Sequence, residues 1–128
     1  MKRNMVGWFE VPVTNMERAI QFYEKVFNIK IERHKMGPLD MGWFPFVEGD
    51  AAGSGGSLVA HPDHYIPSNE GVLVYFSSHT GDLQDELDRV EDAGGKVLNG
   101  KTPISEEHGF MSLIIDSEGN RIALHSRS

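Results

Sequence analysis

The chain has 128 residues, a length that suits one domain with a real hydrophobic core but is short for two independent domains. Hydrophobic residues make up 39% of it and charged residues 24%, which is typical of a globular protein and not of a disordered one. Its 19 acidic and 12 basic side chains give a net charge of −7, which argues against a nucleic-acid or membrane partner, because phosphates require clustered lysine and arginine. We therefore expect a small ligand that is neutral or cationic.

The sequence contains no cysteine, which excludes disulfide bonds, a thiolate zinc site and a cysteine nucleophile. No apolar stretch approaches the ~18 residues needed to cross a bilayer, and the basic start Met1–Asn4 leads directly into a strand-like run. No Gly-x-Ser-x-Gly motif supports a serine nucleophile. We expect a cytoplasmic protein that is not a nucleophilic hydrolase.

The first half of the chain predicts one strand, one helix and three further strands. The run Val6–Val13 is rich in β-branched and aromatic residues, and Pro12 favours an edge position. Asn15 is a good N-cap, and apolar residues then recur at helical spacing until about Phe27. Three short strands follow, separated by Gly37-Pro38 and by the Gly-rich stretch Gly49–Gly56; they are Ile29–Met36, Trp43–Val47 and Ser57–His61.

The second half predicts the same order of elements. Gly71–Ser77 has the composition of a strand. An amphipathic helix follows, marked by Leu83, Leu87, Val90 and Ala93, and Gly94-Gly95 end it. Three more strands complete the chain, the last two joined by a hairpin turn at residues 117–120; they are Lys96–Thr102, Gly109–Asp116 and Arg121–Ser126.

The two halves repeat at a distance of about 64 residues, at which Gly7-Trp8 matches Gly71-Val72. This repeat predicts an α+β fold of two tandem βαβββ modules with pseudo-twofold symmetry, at about 1–65 and 66–128, within a single domain covering 1–128. Each helix can cover only one face of its sheet. The opposite faces of the two sheets are therefore predicted to form a shared concave ligand site.

Three segments carry a family resemblance. Residues 13–27 read VTNMERAIQFYEKVF, residues 91–97 read EDAGGKV, and residues 115–124 read IDSEGNRIAL. In this order they resemble the first helix, the second helix exit and the terminal hairpin of the vicinal oxygen chelate superfamily. The resemblance spans essentially the whole chain and implies the glyoxalase/bleomycin resistance fold, a cupped mixed sheet built from paired βαβββ modules.

Metal-using members of that superfamily place His, Gln or Glu on the first and last strands of each module. By this resemblance the four positions here are Trp8, Val59, Val72 and Ala123. None of these side chains supplies the nitrogen, oxygen or sulfur donor that a divalent ion needs. We therefore expect no cofactor, with a divalent metal conceivable only at a non-standard site. The four side chains are expected to line an apolar pocket instead.

Alternation along the strands adds further residues to the concave side. Pro12 follows Trp8 at this spacing, and Val74 and Phe76 follow Val72, so we expect them to line the pocket. The same rule brings three polar candidates to that side, namely Glu10, His61 and His125. Two interpretations remain open for the polar residues. In the first, Glu10 and one of the histidines form an acid/base pair in a partly dry cavity. In the second, which is the more common one for such residues, both histidines lie at strand ends, solvated or bonded to backbone carbonyls, and Glu10 is a solvated charge at the rim.

Two functions from different classes follow. In the first, the protein binds or sequesters an apolar or aromatic small molecule in a metal-free pocket, as in the antibiotic-sequestering branch that it resembles. In the second, it is a lyase or isomerase related to lactoylglutathione lyase, or a dioxygenase, and uses a relocated metal or Glu10, His61 and His125 for proton transfer. The resemblance also implies a homodimer, to which aromatic residues of the third strand would contribute.

Overall fold

A computed structural model describes residues 3–49 and 53–128, so residues 50–52 of the Gly-rich stretch lie outside the described residues. The described chain contains two helices and eight strands. In chain order these are β1 (Trp8–Pro12), α1 (Met16–Phe27), β2 (Glu32–Met36), β3 (Leu39–Trp43), β4 (Gly55–Ala60), β5 (Tyr75–Ser77), α2 (Leu83–Val90), β6 (Lys96–Ser105), β7 (Gly109–Ile115) and β8 (Arg121–Ser126). Neither helix is long and apolar enough to span a bilayer in this part of the chain.

The strands form two four-stranded mixed sheets of the same topology. Their orders are β1-β4-β3-β2 and β5-β8-β7-β6. In each sheet the first strand runs parallel to the last, and the other pairs are antiparallel. The predicted α+β fold of two tandem βαβββ modules is thereby confirmed.

Local signals fix the ends of α1. The side chain of Asn15 accepts a hydrogen bond from the Arg18 backbone N–H, which satisfies a donor that the first turn leaves free. Asn28 ends the helix in a left-handed conformation at φ 54°, and Asn is one of the few residues that tolerates this. The predicted helix from the Asn15 cap to Phe27 is confirmed.

One hydrophobic cluster joins the two modules. It contains the buried faces of α1 and α2 together with inward residues of both sheets. Phe9 of β1 and Phe76 of β5 meet edge to face, with ring centroids 5.6 Å apart. Tyr23 of α1 contacts Phe76 as well, at 5.7 Å. The first strands of the two modules are therefore held against each other by aromatic packing beneath the helices.

The third strand differs from its prediction. The sequence predicts Trp43–Val47, whereas β3 ends where that prediction begins. Gly37, at φ 62°, and Pro38 form a tight turn that pairs Met36 directly with Leu39. β3 therefore starts directly after the turn and ends at Trp43, so both of its ends lie four residues before the predicted ones.

The fifth strand also differs. The sequence predicts Gly71–Ser77, whereas β5 contains only its last three residues. Phe76 pairs with Leu124 and packs against the hydrophobic cluster, and Val72 precedes the strand. Most other strand limits differ from prediction by one to three residues, the second strand begins three residues late, and β8 agrees.

The distance between corresponding elements of the two modules varies along the chain. The helices begin 67 residues apart, at Met16 and Leu83, whereas β2 and β6 begin 64 residues apart, at Glu32 and Lys96. Val72, which the sequence matches with Trp8, precedes β5.

Candidate functional site

A cavity of about 790 Å³ opens where the first strands of the two modules meet, and we call it the seam cavity. Its wall includes residues of β1 and β5, the end of α1, the segment after β3 and the segment before β5. Most of these residues carry aromatic or aliphatic side chains; they include Trp8, Phe9, Phe27, Phe44, Val74 and Phe76. The volume is within the range of sites for small organic molecules.

The residues expected to line a pocket fall into two groups. Trp8, Val72, Val74 and Phe76 belong to the wall of the seam cavity, with Val72 91% exposed at its rim. The other three are not among the wall residues. Of these, Pro12 is half-buried, whereas Val59 and Ala123 are fully buried within their sheets.

The first sheet has a second surface, turned away from α1, which we call its open face. Val11 and Leu58 pack into the core, so the residues that alternate with them point the other way. Strand pairing then places the following residues on the open face: Trp8, Glu10, Pro12, Glu32, His34, Met36, Leu39, Met41, Trp43, Gly55, Ser57 and Val59. The open face and the seam cavity share Trp8.

Two tryptophans meet on the open face. Trp8 and Trp43 pack edge to face with centroids 5.8 Å apart, and His34 lies 4.7 Å from Trp43 on its other side. The two indoles remain 43% and 37% exposed, respectively, so both keep surface available for a ligand. Gly55 lies opposite Trp8 in the sheet, and the ring of Phe46 occupies the place of its missing side chain, 2.6 Å from where a Cβ would lie.

Glu10 is held by a residue that the sequence analysis missed. The Tyr65 hydroxyl donates a 2.7 Å hydrogen bond to Glu10 Oε1, and this bond raises the pKa of Tyr65. His61 lies near the same tyrosine, with ring centroids 6.3 Å apart. Its Nδ1 accepts a hydrogen bond from the Asp63 backbone N–H, so neutral His61 carries its proton on Nε2. The structure therefore gathers Glu10, His61 and Tyr65 at one end of the open face.

His125 lies in the other sheet. It pairs with Ser77 and Met111, and its Nε2 is 2.6 Å from the carbonyl oxygen of His108. A carbonyl can only accept, so Nε2 carries the proton and donates it. This bond joins His125 to the loop before β7 and does not connect it with Glu10 or His61.

The usual metal positions do not fit a divalent ion. Trp8, Val59 and Ala123 offer no donor atom with a free lone pair. The fourth position, Val72, precedes β5 and also offers none. Across residues 3–49 and 53–128, no group of three or more His, Asp or Glu side chains is arranged to hold a metal ion.

Ser57 is a buried polar residue on the open face. It lies between Glu10 of β1 and Trp43 of β3 in the strand pairing. Its hydroxyl oxygen is buried and has no hydrogen-bond partner within the described chain. A buried hydroxyl without a partner is uncommon because it costs free energy.

The profile of the Glyoxalase/Bleomycin resistance protein/Dioxygenase superfamily matches residues 5–124. No curated protein matches the chain significantly.

Solved structures share the fold at low identity. A glyoxylase/bleomycin resistance protein/dioxygenase domain from Frankia sp. EAN1pec is 14% identical with a TM-score of 0.72, covering 97% of this chain and 98% of that one. An integron cassette protein from V. cholerae is 21% identical with a TM-score of 0.66, covering 100% and 98%. Glyoxalase I from Zea mays is 18% identical with a TM-score of 0.68, and the match covers 94% of this chain but only 45% of that enzyme. The chain belongs to the Glyoxalase/Bleomycin resistance protein/Dioxygenase superfamily.

Proposed function

We propose that this protein binds a small apolar or aromatic molecule in the seam cavity. The observation that carries the proposal is the wall of that cavity, where Trp8, Phe9 and Phe76 meet at the junction of the modules. Burial of apolar surface in such a site contributes about 25 cal/mol per Å². A ligand that fills the cavity would thus be bound mainly by the hydrophobic effect and by contact with aromatic rings.

Binding without a metal is supported by the side chains at the usual chelating positions. Trp8 is an indole, and Val59 and Ala123 are buried hydrocarbons. A binding protein needs shape and apolar surface, and both are available without a preorganised polar centre. The proposed class is therefore a ligand-binding or sequestering protein.

A test of the proposal is a titration with a neutral naphthylamine dye, followed by dye and tryptophan fluorescence. Filling the cavity with Val74→Phe should weaken dye binding by about tenfold or more, because the larger side chain removes space that the ligand needs. The matched control is Leu98→Phe, which places the same ring at an exposed position of β6. Equal affinity in both variants would show that the dye binds elsewhere.

Trp8 should be the residue that reports ligand entry, because it lies in the cavity wall. Trp8→Phe should remove most of the ligand-induced tryptophan signal, whereas Trp43→Phe should keep it. If Trp8→Phe retained the whole change, Trp43 would be the reporter and the cavity assignment would be wrong.

A second candidate function, proton transfer by a lyase or isomerase, is favoured by the hydrogen bond between Tyr65 and Glu10. A carboxylate oriented by a phenol is a suitable general base, and the ring of that phenol lies 6.3 Å from the imidazole of His61. In that case Glu10→Gln and His61→Asn should abolish turnover of a carbonyl substrate and leave the unfolding midpoint unchanged. Full turnover in both variants would end this candidate.

A further inference from the structure

We propose that the ligand carries an organic ammonium group, and that the open face of the first sheet binds this cation next to the seam cavity. The inference rests on the proposed function, since the apolar part of the same ligand would occupy the cavity. Trp8 connects the two places, because it lines the cavity and packs against Trp43 on the open face.

The charge on the open face has one sign. Its strand residues include two carboxylates, Glu10 and Glu32, and no lysine or arginine. Arg33 and Lys35 alternate with Glu32 along β2 and point to the opposite face, where Arg33 forms a bidentate pair with Asp40. Negative charge on the open face is therefore not neutralised from within the sheet, and it favours a positively charged ligand.

Strand pairing puts the two carboxylates on either side of an aromatic ring. Glu10 is opposite Ser57, Ser57 is opposite Trp43, and Trp43 is opposite Glu32. These residues form one row across all four strands, and adjacent strands are ~4.8 Å apart. A cation near the middle of the row would lie roughly 7 Å from the backbone of each glutamate, a distance that their side chains can shorten.

The aromatic pair supplies the second part of the site. Trp8 and Trp43 stand at 74° to each other, so the face of one ring meets the edge of the other, and the ring of Phe46 lies over Gly55 beside Trp8. Tryptophan is the best side chain for binding a cation over its ring, and the attraction increases when the cation is partly desolvated. Both indoles retain exposed surface, which an ammonium group with apolar substituents would cover.

Two oxygens complete the site. Tyr65 holds Oε1 of Glu10 in place, while no hydrogen bond in the described chain occupies Oε2. Ser57 Oγ, buried and without a partner, lies in the same row. A hydroxyl rotates freely enough to turn its lone pairs toward a cation, which would compensate the cost of its burial.

The experiment uses a pair of probes with the same shape. Phenyltrimethylammonium and tert-butylbenzene differ only in a charged nitrogen or a neutral carbon at the centre of the substituent. Affinity of the whole chain for each probe is measured by tryptophan fluorescence at low and high salt. The variants are Glu10→Gln, Glu32→Gln and, as a control on the helix side, Glu91→Gln, which changes an exposed carboxylate at the end of α2.

We expect the cation to bind about tenfold more tightly than its neutral isostere at low salt, and the preference to decrease at high salt. Glu10→Gln and Glu32→Gln should each reduce the preference by several-fold without changing the affinity for tert-butylbenzene, and Glu91→Gln should change neither. Equal binding of the two probes, or a preference that both variants retain, would overturn the cation site and leave the apolar cavity intact. Failure of both probes to bind would overturn the proposed function as well.

Discussion

The carboxylate of Glu118, at the turn between β7 and β8, lies 2.6 Å from the guanidinium of Arg18 in the first turn of α1. The same carboxylate accepts hydrogen bonds from the backbone N–H groups of Thr14 and Asn15, which precede the helix. One side chain of the second module thus binds the start of the first module's helix. The negative charge is also placed where the helix dipole favours it.

This clasp predicts a dependence of stability on pH. Burial alone raises the pKa of Glu118, but hydrogen bonds from Arg18, Asn15 and Thr14 outweigh it and lower the pKa from 4.5 to about 2. A carboxyl whose pKa is lower in the folded state contributes stability that is present above pH 4.5 and is lost as the pH falls toward 2. Glu118→Gln should therefore lower the free energy of unfolding at neutral pH and change it little near pH 2. The loss at neutral pH should be only about 1–2 kcal/mol, because half-exposed Arg18 is screened by solvent.

Urea unfolding followed by circular dichroism between pH 2 and pH 7 measures this difference. Glu91→Gln is a suitable control, because the removed carboxylate is exposed. If the free energies of unfolding of the wild type and Glu118→Gln differed by the same amount at every pH, the lowered pKa of Glu118 would be contradicted.

A second contact between the modules is buried. The Tyr23 hydroxyl donates a 2.6 Å hydrogen bond to Asp116 Oδ2. Burial and the charge of Asp116 raise the pKa of Tyr23 well above 10.0, so the phenol remains a donor. Tyr23→Phe should lower the free energy of unfolding by about 1–3 kcal/mol, because it leaves a buried carboxylate with one partner fewer. Tyr65→Phe, which removes an exposed hydroxyl, should lower the free energy of unfolding by less than about 0.5 kcal/mol in the same assay. Equal losses of stability in the two variants would show that the buried bond of Tyr23 contributes no more than an exposed one.

Local signals were sufficient for part of the fold. The Asn15 cap and the periodicity up to Phe27 predict α1 correctly, and the hairpin residues before Arg121 predict β8 correctly. These elements depend on neighbours within a few residues, which a sequence displays directly. The order of elements also reveals the paired modules.

Other features depend on distant contacts. Tyr65 reaches Glu10 from 55 residues away in an aperiodic linker, so no spacing rule identifies it. The predicted fifth strand includes Val72, but β5 begins only at Tyr75, so its start and register are set by pairing with the distant strand β8. A shift of one residue exchanges the two sides of a strand, and the sequence alone does not fix this register.

Gly56 offers a test of packing beneath the seam cavity. A Cβ at this position would overlap the ring of Phe9, which lies in the core and in the cavity wall. Gly56→Ala should therefore cost about 1–3 kcal/mol and weaken binding in the cavity, because Phe9 must move. Gly7→Ala is the matched control, since a Cβ there meets nothing within 4 Å. Unchanged stability in Gly56→Ala would mean that the ring adjusts freely and the packing is looser than described.

Homodimerisation remains a prediction, and exposed apolar residues just after β3 favour it. Phe46 and Val47, which follow β3, are 64% and 72% exposed, and Val6 and Val72 are exposed as well. Exposed apolar side chains favour a protein interface, and twofold dimers are the commonest homo-oligomers. We predict that the protein is a dimer in solution and that Val47→Asp shifts it toward monomer, because a charge in an apolar interface is not compensated. Sedimentation at several concentrations measures this shift, with Ile66→Asp as an equally exposed control in the linker. A wild-type monomer at high concentration would contradict the prediction, and a dimer lost only in Ile66→Asp would move the interface to the linker.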